Sequence, residues 1–411
     1  MNLIRIWGDK MNLIPDEEEL KYRIAYFRGV NQEVDEQNLE VSDSPFAYGY
    51  NTDDGNLSTI EEHGLVTMPI NEQSTEIRTL NGVPNCYRVE NLMAYYKHDI
   101  DTGAEESYIV AQTNLIEGKS RLYYIKMVGE NIDWTYLAES ASTRNAYANY
   151  RYKSEDIFIF GNDQEYLRQW NGKNVSILGN GAEDDPPKLG ALTIHYERLW
   201  GCVMTPDVFR VWYSDDLDPT NWTIAMHDAG FVDLVDQSGK NVTLLSAFDS
   251  IYVFKRYGIK RIFGTYPGEF GAMDVLSTNS AIEPKTVVNC VNSIIYTAAD
   301  GIYLFNGGEA VPISNRIQKF FSNVVNIQLA CATFFNNKYI VALPIHYPGE
   351  EEPTSNNTVI EYDVLEGTFK VLKNIFVNDF LVVRLHNCEK LIYATNGAYL
   401  KEYVVREKNQ L

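Results

Sequence analysis

The stretch that decides the fold is Glu197-Arg198-Leu199-Trp200-Gly201-Cys202-Val203-Met204, followed shortly by Val211-Trp212-Tyr213-Ser214-Asp215-Asp216-Leu217-Asp218-Pro219-Thr220-Asn221-Trp222. It reads as an aromatic strand opened by Arg-Leu-Trp, then a return strand that runs into Tyr-Ser-Asp and stops at Asp-Pro-x-x-Trp. Proline fixes φ and an aspartate before it can bond the backbone that follows, so Asp218-Pro219 starts a turn. Trp222 can then fold back over the hairpin as a large apolar lid. These residues organise structure and bring no catalytic chemistry of their own.

Working outward, strand pairs of the same kind recur at intervals of roughly 42 to 53 residues, the spacing expected of propeller blades. Tyr108–Ala111 precedes Arg121–Ile125, Asp156–Phe160 precedes Tyr166–Gly172, and Ser250–Phe254 precedes Gly258–Gly264. Ser293–Thr297 and Gly301–Gly307, Lys338–Leu343 with Thr358–Asp363 and Gly367–Val371, and Lys390–Ala394 with Ala398–Tyr403 continue the series. Polar turns such as Ala299-Asp300-Gly301 and Thr395-Asn396-Gly397 join the members of each pair, since Gly and Asn supply the positive φ of tight hairpins. The first strand of each pair is expected to lie toward a central axis. With the Arg198 hairpin these make seven units: an all-β β-propeller of about seven divergent blades over residues 46–411. No recurrent Trp-Asp, Gly-His opener or diglycine marks a WD40 or kelch repeat.

Composition agrees. Hydrophobic residues are 45% of the 411, enough for one large repetitive domain, and aromatic residues reach 13%, which favours pleated half-buried strands. No apolar run approaches bilayer length, so no membrane segment is expected. The N-terminus lacks an apolar stretch before a small-residue cleavage site, so assembly in the cytoplasm is the expectation. Five cysteines and six histidines are scattered without metal-ligand spacing, and no metal or other cofactor is expected. A net charge of −21 argues against a conventional nucleic-acid-binding surface, which needs basic residues to displace counterions. An acidic wall that repels phosphate would still suit a conduit.

The text from Arg198 to Trp222 resembles a line that recurs in the β-propeller tail proteins of phages, "R-L-W…, V-x-W-S-x, x-D-P-x-x-W", including hub and nozzle subunits of short-tailed phages. Arg198, Leu199, Trp200, Trp212, Ser214, Asp218, Pro219 and Trp222 carry it. Ser280–Tyr303 is similar to a second family run, with its glycine replaced by Ile282 or Glu283. The resemblance implies a virion structural protein, not an enzyme. It would form a homo-oligomeric ring, a hexamer by the family's habit, around the DNA exit channel of the tail. Its partners would be other tail or portal-adaptor proteins, with DNA as a passing, non-specific guest.

Residues 1–45 stand outside the blade rhythm. A short helix is expected over Glu17–Tyr26, with acidic residues near its N-terminus favoured by the macrodipole. Leu3, Ile4, Ile6, Trp7, Leu13 and Ile14 have no evident partner within the segment and mark it as a docking arm. The stretch Phe46–Thr59 is a candidate to close the propeller, because an open ring leaves a bare sheet edge.

Residues of chemical type have competing readings. Ser214–Trp222 is similar to the Asp-box of sialidase-type propellers, S-x-D-x-G-x-T-W, with the tryptophan one residue late and Asp218 at the glycine. A carbohydrate-binding or carbohydrate-active propeller is therefore the alternative function. The pairs Asp184-Asp185 and Asp215-Asp216 are candidates for glycosidase acids but read better as solvated loop charges. Ser214 lacks a nucleophile-elbow context. The glycine-rich run Gly264–Gly271 lacks the Gly-Lys ending of a P-loop and reads as a blade-to-blade crossover.

Overall fold

The computed structural model describes residues 27–34, 38–40, 42–45, 50–51, 58–59, 63–71, 76–98, 103–179, 187–224, 228–385 and 388–405. The expected helix over Glu17–Tyr26 and the apolar residues Leu3 to Ile14 lie outside them. The described chain is all-β and forms a seven-bladed β-propeller. Six consecutive antiparallel sheets have four strands and the seventh has three.

Blade 1 runs Val89–His98, Glu105–Thr113, Ser120–Lys126 and Thr135–Ser140, and blade 2 runs Ala146–Tyr152, Glu155–Gly161, Arg168–Trp170 and Val175–Ile177. Blade 3 is Ala191–His195, Arg198–Cys202, Arg210–Tyr213 and Gly230–Asp233, and blade 4 is Asn241–Ala247, Ser250–Lys255, Gly258–Phe263 and Gly271–Ser277. Blade 5 holds Val288–Asn289, Ile294–Ala298, Gly301–Phe305 and Ala310–Pro312. Blade 6 holds Cys331–Phe335, Lys338–Leu343, Thr358–Asp363 and Thr368–Lys373, and blade 7 Asp379–Arg384, Glu389–Ala394 and Leu400–Tyr403.

The recurring pairs of the sequence are the second and third strands of each blade. The first strands, which approach one another around the axis, lie upstream of them. The expectation that the leading strand of each pair faces the axis is thus corrected: it sits one position out, covered on both faces.

Side chains alternate across a strand, so a blade packed on both faces has two apolar sets offset by one residue. In Ser250–Lys255, Ile251 and Val253 pack into the core shared with blade 3, whereas Tyr252 and Phe254 pack into that shared with blade 5. In Lys338–Leu343, Tyr339, Val341 and Leu343 face blade 5, and Ile340 and Ala342 face blade 7. One apolar cluster fills each junction, including that between blades 7 and 1. Leu199, Trp200, Val211, Ile251, Val253, Ile294, Tyr296 and Ile302 are buried as their pattern requires, and Trp212 and Leu304 are half-buried.

The ring closes with a strand from upstream of blade 1. Leu65 bridges Lys401 antiparallel, the Val66 N–H donates to the Leu400 carbonyl at 3.3 Å, and the Glu402 N–H donates to the Gly64 carbonyl at 3.0 Å. Gly64–Val66 therefore supplies the missing fourth strand of blade 7. Val66 and Met68 then enter the core between blades 7 and 1. The closing residues fall just after the Phe46–Thr59 stretch considered for this task, in which Tyr50–Asn51 instead pairs with Ser58–Thr59.

Part of the N-terminal segment lies on the propeller itself. Gly29–Val30 pairs in parallel with Asp43–Ser44, the Gln32 N–H donates to the Arg316 carbonyl at 2.7 Å, and Val30 joins the core between blades 5 and 6. Gly264–Gly271 is not a crossover between blades. It turns the third strand of blade 4 into the fourth, and Gly264 is required there. Its φ is +110°, and a Cβ would meet the Glu269 carbonyl oxygen at 2.6 Å.

Trp200 is buried between blades 3 and 4 against Tyr213 and Phe270, with ring centroids 4.8 and 4.9 Å away. Trp200→Ala should cost roughly 3–5 kcal/mol by the large-to-small rule, read as a lowered denaturation midpoint in urea. A midpoint within error of the parent would refute this packing.

Candidate functional site

The signature residues come together on blade 3, with Leu199, Trp212 and Trp222 turned toward blade 2 and Trp200 toward blade 4, and most of their polar atoms hold the hairpin. Arg198 is almost fully buried, and its Nη1 donates to the carbonyls of Ser214 at 3.0 Å and Asp228 at 3.2 Å. Ser214 Oγ accepts from the Leu199 N–H at 3.0 Å and donates to the Asp215 carbonyl at 2.9 Å, with no base beside it. Asp218 Oδ1 accepts from the Thr220 N–H at 2.9 Å and from its hydroxyl at 2.6 Å. Trp222 folds back so that its Nε1 donates to the Pro219 carbonyl at 2.9 Å, and its ring enters the core between blades 2 and 3. Trp212 packs on Phe231 with ring centroids 5.2 Å apart, and its buried Nε1 has no acceptor among the described residues.

Asp215 and Asp216 do not form a pair across a pocket. Asp215 binds the Asn221 amide at 3.1 Å within the same turn, and Asp216 is exposed. Asp184 and Asp185 lie outside the described residues. Among the described residues no cluster of three or more His, Cys, Asp and Glu could hold a metal, and no helix is long and apolar enough to cross a membrane.

A second constellation surrounds one mouth of the propeller axis, where the first strands begin. Asp379 opens the first strand of blade 7. Its Oδ2 accepts from the Leu92 N–H of blade 1 at 2.8 Å, and its Oδ1 from Arg144 Nη2 at 3.0 Å. Arg144 precedes the first strand of blade 2, so this ion pair spans the entry of three blades. Its Nη1 is buried and has no acceptor among the described residues. Burial pushes the Asp379 carboxyl up, and the Arg144 guanidinium opposes this.

Glu283 enters from the opposite arc. Its N–H donates to the Thr297 carbonyl at 3.0 Å, which extends the short first strand of blade 5 toward this mouth. The residue is 3% exposed, and no hydrogen-bond or ion-pair partner is found for its carboxylate among the described residues. Burial raises its pKa to about 7, against the opposing pull of Arg256 and Arg144. Arg256 lies beside it: the Ile282 N–H donates to the Arg256 carbonyl at 3.0 Å, and Arg256 Nη1 reaches the Ile282 carbonyl at 3.4 Å. Cys331, fully buried on blade 6, feels Asp379, Arg144 and Glu283, but burial holds its thiol far above the ordinary range. It is inert as a nucleophile.

Glu361 shows what a satisfied buried carboxylate looks like in the same molecule. It is held by Lys370 at 2.9 Å, Lys338 at 3.3 Å and the Tyr403 hydroxyl at 2.6 Å. Glu283 has nothing comparable. The sequence offered one signal for it. Ile282 or Glu283 stands where the run that Ser280–Tyr303 resembles has a glycine. Arg144, Arg256 and Asp379 carried none, being single charges at strand ends.

The sign of the pH effect follows from the raised acid. Folded Glu283 holds its proton more tightly than the unfolded chain, so its penalty is absent below about pH 4.5 and complete above about pH 7. Glu283→Gln should stabilise the protein by roughly 2–3 kcal/mol at pH 8 and by almost nothing near pH 4.5, in urea melts at both values. Equal effects at the two pH values would disprove the assignment.

No family model and no curated protein matches the chain. Solved structures do, at low identity. The extracellular domain of the one component system BT4673 from B. thetaiotaomicron aligns with a TM-score of 0.46 at 9% identity, over 83% of this chain and 40% of that one. This chain thus spans less than half of that protein's length. BamB from Moraxella catarrhalis aligns with a TM-score of 0.45 at 8% identity, over 85% of this chain and 99% of that one. The Neurospora crassa Pan2 WD40 domain gives 0.45 at 9% identity, over 78% and 91%. These are likenesses of fold, and no function follows from them.

Proposed function

We propose that the protein is a structural subunit of a phage virion, a tail hub or nozzle propeller that assembles in the host cytoplasm as a homo-oligomeric ring around the DNA exit channel. The observation that carries this reading is the Arg198–Trp222 text, similar to the tail-propeller line in residue type and spacing. Its role here is consistent with that likeness, because Arg198, Ser214, Asp218 and Trp222 spend their polar atoms on the hairpin and its turn.

The channel is the one enclosed by the subunits. At one mouth of each propeller the Arg144–Asp379 pair joins blades 7, 1 and 2. A net charge of −21 per subunit would keep passing phosphates from adhering. In this reading the family's hexamer is the expected ring, other tail or portal-adaptor proteins are its neighbours, and Leu3, Ile4, Ile6, Trp7, Leu13 and Ile14 tie subunits together.

Electron micrographs of the purified protein should show rings of one stoichiometry, and a glycan array should show no retention. A monomer that binds or cleaves a glycan would replace this reading with the carbohydrate-active one. Deletion of Met1–Pro15 should lower the assembly mass measured by light scattering while leaving the melting temperature of the propeller unchanged. An unaltered mass would remove the docking role of that segment.

A further inference from the structure

Two neighbouring blades place large apolar side chains where backbone and solvent both disfavour them. In blades 2, 3, 4 and 6 the first and second strands are joined by Lys153-Ser154, Tyr196-Glu197, Phe248-Asp249 and Asn336-Asn337, and every one of these residues has a positive φ. Gly and Asn enter that left-handed region most readily, and bulky side chains are strained in it. Blade 6 follows the preference with two asparagines. Blades 3 and 4 instead set an aromatic residue and then an acid there, with Tyr196 at φ 45° and Phe248 at φ 49°. Leu217, in the loop between the third and fourth strands of blade 3, is held at φ 55°. None of the three is buried in exchange: Tyr196 is 43%, Leu217 59% and Phe248 36% exposed.

The three share one surface. The Leu217 N–H donates to the Glu197 carbonyl at 3.3 Å, and the Tyr196 ring lies 4.1 Å from that of His195, centroid to centroid. His195 Nδ1 is in turn 2.9 Å from Ser246 Oγ on blade 4, two residues before Phe248. Exposed Glu197, Asp216 and Asp249 stand among these apolar groups. Strain kept at an exposed apolar tip, where asparagine would serve the turn better, marks a contact surface.

The chemistry of that surface selects its occupant. It calls for an apolar segment with positive charge, in a chain that has 35 basic residues against 56 acidic ones. Met1–Pro15 is such a segment: its apolar residues are interspersed with Arg5 and Lys10, and Asp9 is its one acid. The place from which it extends favours a second copy. The described chain begins at Phe27, and the Gln32 N–H is bonded to the Arg316 carbonyl, in the connection between blades 5 and 6. Strands alternate in direction within a blade, so that connection and the turns between first and second strands lie at opposite ends of the propeller. An arm rooted on one face and received on the other gives a head-to-tail contact, the kind from which a ring closes.

We infer that Tyr196, Leu217 and Phe248, with Glu197, Asp216 and Asp249 among them, form the docking surface for the N-terminal arm of a second copy of this chain. The apolar residues of the arm cover the three tips, and Arg5 and Lys10 meet the acids. This deepens the tail-subunit reading by naming the surface that receives the arm, and it rests on that reading for the assembly itself.

Asparagine suits the left-handed turns, so Tyr196→Asn/Phe248→Asn should keep or raise the melting temperature. In light scattering it should lower the mass of the assembly to that of one subunit. Ile4→Glu/Trp7→Glu, which alters only the arm, should lower the mass equally. Mixed one to one, the two variants should form a pair and nothing larger, because one intact arm then meets one intact surface. A parent protein that is itself a single subunit would overturn both the ring and the docking. A parent that assembles, with a tip variant that assembles equally or a mixture that stays unpaired, would overturn the docking alone. Loss of assembly in the tip variant but not in the arm variant would give the surface to a different occupant. A melting temperature lowered by several degrees in the tip variant would give the turns a folding role, and the inference would fail.

Discussion

Every blade of this propeller is covered on both faces, and the rest of the structure follows from that. A strand such as Ser250–Lys255 has no solvent side, so it cannot follow the apolar-in, polar-out alternation of a half-exposed sheet. Its odd and even residues feed different cores, Ile251 and Val253 one and Tyr252 and Phe254 the other. No blade can be stable alone under this arrangement, because each supplies only half of two junctions. Seven junctions have to form together, and the last, between blades 7 and 1, forms only if the chain ends meet.

The closure through Gly64–Val66 is therefore a requirement of the packing. Blade 7 ends at Leu400–Tyr403 with a bare edge, and the upstream strand covers it while sending Val66 and Met68 into the final junction. Lys390 reinforces the joint, reaching the Thr67 carbonyl at 3.1 Å and Glu402 at 2.9 Å. On the neighbouring blade, Glu361 draws Lys338, Lys370 and Tyr403 together, which links blade 6 to blade 7 by a buried, fully answered charge. Truncating one member of such a group costs more than replacing the whole set with apolar residues, so it fixes the pairing of blades more than it adds stability.

What was legible in the sequence follows from the same physics. The second and third strands stand out because both of their faces are apolar and a Gly- or Asn-containing turn joins them, as in Ile294–Ala298 and Gly301–Phe305. The first strands were missed. Those at the axis, such as Ala146–Tyr152 and Asn241–Ala247, interleave polar residues with apolar ones and lead into their second strands through Lys153-Ser154 and Phe248-Asp249, turns that carry neither Gly nor Asn. The turn at Asp218-Pro219 was legible down to its tryptophan lid, since the geometry is local. The closing strand was not, because Leu65 meets Lys401 across almost the whole chain. The axial charges were invisible for that reason too: Arg144 and Asp379 are meaningful only once the ring brings blades 2 and 7 together.

That distinction separates the two sites by kind. In the Arg198–Trp222 hairpin the sequence signal is strong, and Arg198, Ser214, Asp218 and Trp222 are spent on a turn or a backbone bond, as local signatures that stabilise a fold usually are. At the axis the sequence signal is nearly absent, yet Arg144 and Asp379 pair between blades 2 and 7, and Glu283 of blade 5 is buried. A protein selected only for stability would have little reason to keep Glu283, since a glutamine there removes the cost of a buried charge. The local bonds of the hairpin explain how blade 3 is built, whereas the axial charges acquire their meaning only from the closed ring.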